Sequence, residues 1–237
     1  MPRKQTHRGA GPKDERLFAP NALPRLRTAV SDLCWLLNRG YALRSAVELV
    51  GNRYSLVSRQ RMAVMRCACS DEAAARRQQR EVQPENVKGQ ELWLDGYNVL
   101  TILESTLADG VILIGRDGCC RDVLGVHGRY RKIAETLPAL RLIGEVTTEW
   151  SVSSVRWCLD KPVSNSGRLK AVLLDVAADA GWDWHVDLVF NADRVLMQTD
   201  QIVATSDAAI LDKCQWWMNL ARLVIDRRVS NARVVEL

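Results

Sequence analysis

Four short apolar runs in this chain each end at, or just before, an aspartate. They read "LWLD" to Asp95, "RWCLD" to Asp160, "LVFNAD" to Asp193 and "VATSD" to Asp207. Each is of strand length. Between them lie stretches of helical period: "NVLTILEST", a segment within "HGRYRKIAETLPALRLIGEVTTEW" with a break expected at Pro138, and "SGRLKAVLLDVAADAG" closed by Gly181. "GVILIGRDG" reads as a further strand, and "AAILDKCQWWMNLARLVIDRR" as one long final helix. Strands separated by helices of about ten or more residues imply a mostly parallel sheet covered on both faces. Ligands of such sheets bind outside the carboxyl ends of the strands.

An aspartate at a strand end often does no more than cap a helix. Asp207 could cap "AAILDKC" and Asp193 could cap "RVLMQ". Four of them along one edge is a different matter, because converging carboxylates repel and resist ionisation unless a cation neutralises them. A hard divalent ion with oxygen ligands suits such a site. Mg²⁺ or Mn²⁺ held there with open water positions would support phosphodiester hydrolysis. Asp95, Asp160, Asp193 and Asp207 are therefore the candidate catalytic and metal-ligating residues.

Charge divides the chain. Residues 1–90 hold 17 Lys and Arg against 8 Asp and Glu, a net of +9, while residues 91–237 hold 16 against 20, a net of −4. Residues 1–20 read as a disordered basic arm and residues 21–88 as a small helical domain. In "LPRLRTAVSDLCWLLNRG" Leu26, Val30, Leu33 and Leu37 recur at helical steps. "LRSAVELV" follows, ended by Gly51-Asn52, and then "RQRMAVMRCAC" with Ser58 as a plausible cap. Three helices on tight turns could form a helix-turn-helix-like bundle. Arg39, Arg44, Arg53, Arg59, Arg61 and Arg66 would suit phosphate contacts. A packing or dimerisation module explains the bundle equally well, which leaves a homodimer open. "SDEAAARRQQREVQPENVKGQ" reads as an exposed helix and then a linker, so the α/β domain is expected over residues 89–237.

The seven cysteines form no CxxC pair, and neither "CAC" nor "CC" has zinc-ligand spacing. Reduced, buried thiols and a cytoplasmic location are expected. No apolar run is long enough for a membrane span, and the N-terminus lacks the apolar core of a secretory signal. Walker, GxGxxG, HExxH and GxSxG motifs are absent.

"LDGYNVL" resembles the opening strand of NYN-type domains, a branch of the PIN-like nuclease superfamily. "VFNADRVL" is similar to the later element of that family in which an Ala-Asp pair opens a helix. "IVATSDAAIL" looks like its final strand and Ser-Asp turn. The likeness covers residues 91–215. It implies a PIN-like three-layer sandwich and a Mg²⁺- or Mn²⁺-dependent nuclease, acting on RNA rather than DNA. It also implies Asp95, Asp193 and Asp207 as ligands, with Asp160 as a further strand-end acid. Asn98 would orient the first aspartate or touch substrate. The whole chain also resembles an uncharacterised prokaryotic family, the domain of unknown function four-three-four with a companion C-terminal domain. "LLNRGY", "LVGNRY", "GRDGCCRD", "HGRYR" and "PVSNSG" carry that impression, which names no activity.

Two stretches depart from the NYN pattern. "GVILIGRDGCCRDVLGVHGRYR" adds Asp117, Arg121, Asp122, His127 and Arg129, in which Arg121 and Arg129 could meet a scissile phosphate. A surface loop tied by its own ion pairs explains it too. In "PVSNSGRLK", Asn165 and Ser166 could hold an anion at a helix start with Arg168 nearby, or simply cap the helix. His185 reads as a packed strand residue, and Trp216-Trp217 as buried against the sheet. The expectation is thus a metal-dependent nuclease. A non-catalytic nucleic-acid-binding protein and a small-substrate phosphohydrolase are the alternatives.

Overall fold

A computed structural model describes residues 9–123, 130 and 132–237. The helices α1 (Asp14–Leu17), α2 (Leu23–Leu37), α3 (Leu43–Arg53), α4 (Ser58–Cys67) and α5 (Asp71–Arg80) come first. Then follow β1 (Glu91–Asp95), α6 (Gly96–Leu107), β2 (Ile112–Ile114), β3 (Cys120–Asp122), α7 (Thr136–Glu149), β4 (Ser154–Asp160), α8 (Ser166–Ala180) and β5 (Trp184–Val189). The chain closes with α9 (Ala192–Gln198), β6 (Ile202–Ala204), α10 (Ala208–Leu211), β7 (Trp216–Met218), α11 (Leu220–Arg228) and β8 (Val234–Glu236).

The main sheet has the order β5-β4-β1-β6-β7, and its neighbouring strands pair in parallel. The period of two sorts each strand between two layers. Leu92 and Leu94 of β1 join Trp157, Leu159 and Ala204 under α6, α7, α8 and α11. Cys158, Val203 and Trp217 face the other way, with Trp93 packed beside them under α9 and α10. From β1 the chain steps outward through β4 to β5, then returns to the far side of β1 as β6. Strand order therefore reverses between β1 and β6, and a crevice opens at their carboxyl ends.

A second, three-stranded sheet has the order β3-β2-β8, with β2 antiparallel to β3 and parallel to β8. The N-terminal helices cover it. Leu26, Leu33, Val64 and Cys67 share one hydrophobic cluster with Val111, Leu113, Val123 and Val235. The helical region also adds an isolated parallel bridge from Glu81 to Trp217 at the edge of the main sheet.

Several local expectations change. Residues 14–17 form α1 and Phe18 is buried, where an unstructured arm was expected. Ser58 is the first residue of α4 and makes no side-chain cap, whereas Ser70 does cap α5 by accepting from the amide of Ala73. α5 is not a free surface helix, because Arg77 is buried. Pro138 lies in the first turn of α7, where its missing N–H breaks no helical bond. The long final helix is in fact α10, β7 and α11: Trp216 and Trp217 belong to an edge strand, with Trp217 buried and Trp216 partly exposed. The seven cysteines are buried and form no disulfide. Among the described residues, no helix is long and apolar enough to cross a membrane.

Candidate functional site at the carboxyl edge of the sheet

Asp95 ends β1 at the point where strand order reverses. The next residue must be glycine, since a Cβ on Gly96 would lie 2.5 Å from Leu159 Cδ2 and 3.0 Å from the Cys158 carbonyl oxygen. That close approach lets α6 start at once and keeps Asp95 at the sheet edge. The Thr205 hydroxyl, at the end of β6, donates to Asp95 Oδ2 at 2.8 Å and accepts the Asp207 amide at 3.0 Å. One hydroxyl thus fixes both aspartates. Asn98 Oδ1 accepts from the Ser206 amide and hydroxyl, each at 2.9 Å. Its side chain joins the ends of β1 and β6 through Ser206.

These residues open onto a cleft of about 660 Å³. Asp95, Tyr97, Asn98, Asp193 and Asp207 lie on its sheet side. Met62, Met65, Arg66 and Arg77 of α4 and α5 form the opposing wall, with Arg121 beside them. Burial pushes the Asp95 carboxyl up to about 7; the Thr205 bond opposes the rise, and the charges of Asp207 and Asp193 add to it. Asp193 stands at the mouth. Partial burial of its carboxyl raises its pKa, and Asp207 and Asp160 raise it further. Tyr97 is a residue to which the sequence assigned no role. Its hydroxyl is buried without a hydrogen-bond partner among the described residues, and burial, followed by the charge of Asp160, pushes it up to about 12. A buried donor without a partner is costly.

Asp160 does not line the cleft. Its Oδ1 accepts the Ala192 amide at 2.8 Å, so it fixes the start of α9 and, through it, Asp193. Asp207 Oδ1 accepts from the Ala209 and Ile210 amides at 2.8 and 3.4 Å, capping α10. Each of these two carboxylates keeps Oδ2 clear of its capping bond. Among the described residues, no three His, Cys, Asp or Glu side chains stand close enough to enclose a metal ion by themselves. The four-carboxylate shell expected from the sequence is therefore not preformed.

The other expected contacts divide. Arg121 reaches the cleft but is not free for a phosphate: it forms two bonds to Asp117, at 2.8 and 2.6 Å, and donates to the Ser206 carbonyl at 2.9 Å. Arg77 bonds Asp117 at 2.5 Å and Asp212 at 2.9 Å. Burial works against ionisation of Asp117, yet Arg121 and Arg77 outweigh it and hold the carboxyl below its ordinary value. Arg66 is held by Asp122. The "PVSNSG" turn lies outside the cleft. Asn165 takes a left-handed conformation and donates to the Tyr130 carbonyl at 2.8 Å, while the Ser166 hydroxyl donates to the Lys161 carbonyl at 3.2 Å. Ser166 thus closes the turn, and Asn165 ties the turn to Tyr130. Arg168 is exposed in the first turn of α8. His127 and Arg129 lie outside the described residues.

Comparison with known proteins finds two family models on the chain. A family model described as "Protein of unknown function (DUF434)" matches residues 25–80, and one described as "Domain of unknown function (DUF5616)" matches residues 84–223. An "Uncharacterized protein MJ0935" of Methanocaldococcus jannaschii is 29% identical over 186 residues, which cover 78% of this chain and 88% of the relative. No solved structure matches the chain. With more than half its length under one family model, the chain belongs to the DUF5616 family and carries a DUF434 region ahead of that domain.

Proposed function

We propose that the protein is a divalent-cation-dependent phosphodiesterase acting on nucleic acid, a PIN-like nuclease in chemistry and fold. One observation carries the reading. Asp95, Asp193 and Asp207 share one cleft at the strand-order reversal, where the charge of Asp207 raises the pKa of both Asp95 and Asp193, and the arginines of the facing wall are already bonded to Asp117, Asp122 and Asp212. The resemblance of "LDGYNVL", "VFNADRVL" and "IVATSDAAIL" to NYN-type domains supports it.

Hard carboxylate oxygens suit Mg²⁺ or Mn²⁺. Mg²⁺ in particular is often held by one or two carboxylates, with waters and substrate phosphate oxygens completing its shell. An open arrangement of this kind fits that habit better than a closed cage would. Asp95 and Asp207, joined through Thr205, would hold the ion, with Asp193 at the mouth. When bound, it would acidify a water and offset charge on the phosphodiester. Thr205 keeps Asp95 and Asp207 in a fixed relation as substrate enters. Asp160 positions Asp193 through the Ala192 amide. Water would form the new bond to phosphorus as the bond to the 3′ oxygen breaks, leaving a 5′-phosphate and a 3′-hydroxyl.

The test is incubation of labelled single-stranded RNA with the protein in Mn²⁺, in Mg²⁺ and in EDTA, followed by end-group analysis. Cleavage in metal that stops in EDTA and in Asp95→Asn is expected. RNA left intact under every metal, with free nucleotides hydrolysed instead, would replace this reading with a small-substrate phosphohydrolase. RNA bound but never cut would leave a non-catalytic binding protein.

A further inference from the structure

The chain has two phenylalanines, and they are treated oppositely. Phe18 is 3% exposed, while Phe190 is 80% exposed. Phe190 follows β5 at the carboxyl edge of the main sheet, three residues before Asp193. Its backbone is well anchored. The preceding Val189 carbonyl accepts the Lys161 amide at 2.7 Å. The following Asn191 caps α9 by accepting the Arg194 amide at 2.7 Å, and Ala192 is tied to Asp160.

A hydrophobic residue just before a helix cap commonly folds back on the fourth helical residue as a staple. Here that residue is Val195, yet the Phe190 ring stays in solvent, so it does not serve the helix in that way. The Lys161 ammonium stands 5.2 Å from the ring centroid. Lys161 and the neighbouring Arg168 and Arg194 are exposed in the segments that follow β4 and β5. None of the three has a carboxylate partner among the described residues. Thus a rigidly presented aromatic face and uncompensated cations lie on the same edge as the acidic cleft.

We propose that this flank is the track for a single-stranded nucleic acid, with one base stacked on Phe190 and the adjacent phosphates met by Lys161, Arg194 and Arg168. Aromatic platforms beside backbone-tracking cations bind single strands because an unpaired base offers its π-face, whereas a paired base is stacked within the duplex. The assignment rests on the phosphodiesterase reading for its direction: a strand stacked at Phe190 runs past Asp193 into the cleft. It narrows the substrate class to unpaired strands.

Fluorescence anisotropy with a fluorescein-labelled single-stranded RNA, in EDTA so that nothing is cut, tests it. Phe190→Ala should weaken binding about tenfold, the scale of one lost base stack. Phe190→Trp should restore it. Lys161→Gln should reduce the salt slope by about 0.7, one phosphate contact on a single strand. Because both side chains are exposed, thermal melts of the variants should match wild type. Wild-type affinity in Phe190→Ala would overturn the proposal, and so would a base-paired duplex bound as tightly with the same dependence on position 190. Mn²⁺ titration of Phe190→Ala separates the two readings. Intact Mn²⁺ binding with RNA binding indifferent to residue 190 overturns the track alone. Absent Mn²⁺ binding with RNA binding that still depends on Phe190 supports the track and overturns the nuclease reading alone.

Discussion

The N-terminal helices and the carboxyl edge of the main sheet handle charge in opposite ways. The helices are rich in arginine, but much of that charge is already used inside the fold. Arg59 pairs with buried Asp14, Arg66 with Asp122, and Arg77 with Asp117 and Asp212. Arg61 donates to the Leu56 carbonyl and to Asn52, Arg53 pairs with Asp32, and Arg39 lies over Trp35. The sheet edge belongs to the acidic part of the chain, yet there charge is left over: carboxylates face one another in the cleft, and lysine and arginine stand unpaired beside it. Net charge alone would place a functional surface on the helices. The proposed site is instead marked by charge the protein does not itself neutralise.

The largest effect should come from breaking the neutralised side. Arg77→Ala would leave Asp117 buried with one cation fewer, at a cost of about 3–5 kcal/mol. Urea unfolding would measure it. If the loss were under about 1 kcal/mol, the arginine network would be no more than a surface ion pair.

The acidic side should respond with the opposite sign. Asp95 ionises near 3.8 when unfolded and near 7 when folded. Between those values the folded protein holds a proton that the unfolded chain has lost. Without divalent cation, stability should therefore be greatest below about pH 4 as far as this group is concerned. It should fall as pH rises to about 7, by up to about 4 kcal/mol, since each unit is worth about 1.36 kcal/mol. Asp95→Asn should flatten that slope and raise the melting temperature at pH 8. A slope unchanged by the substitution would mean that Asp95 ionises normally and that the cleft carries no stored repulsion.

A smaller change sharpens the same comparison. Thr205→Val keeps the shape but removes the donor to Asp95, so the Asp95 pKa should rise further. The cost should be about 1 kcal/mol, the worth of one hydrogen bond. The pH midpoint of Mn²⁺ binding should move up with it, and a midpoint that moves down would place Thr205 elsewhere in the network.

The sequence made the parallel sheet legible because β1, β4 and β5 are apolar runs with an aspartate at or near their ends and helices of sufficient length between them. It marked Asp95, Asp193 and Asp207 for the same reason. β7 was not legible: "WWM" sits in an apolar stretch that continues into α11, and three residues are too few to show a period. The second sheet was hidden because β2 pairs with β8 across more than half the domain, and no local pattern signals such a contact. The neutralised arginines were missed for a related reason. Arg77 finds Asp212 far along the chain, and a count of charges cannot show who meets whom. Tyr97 could have been noticed, since "DGYN" places it one residue after Gly96, but only its burial reveals that its hydroxyl lacks a partner among the described residues.

The most direct test is titration calorimetry of Mn²⁺ into wild type and Asp95→Asn at pH 8, with both proteins shown to be folded. Binding by wild type that the substitution abolishes is the result predicted. No binding by wild type, or equal binding by both, would contradict the claim that the cleft's unneutralised carboxylates are there to receive a cation.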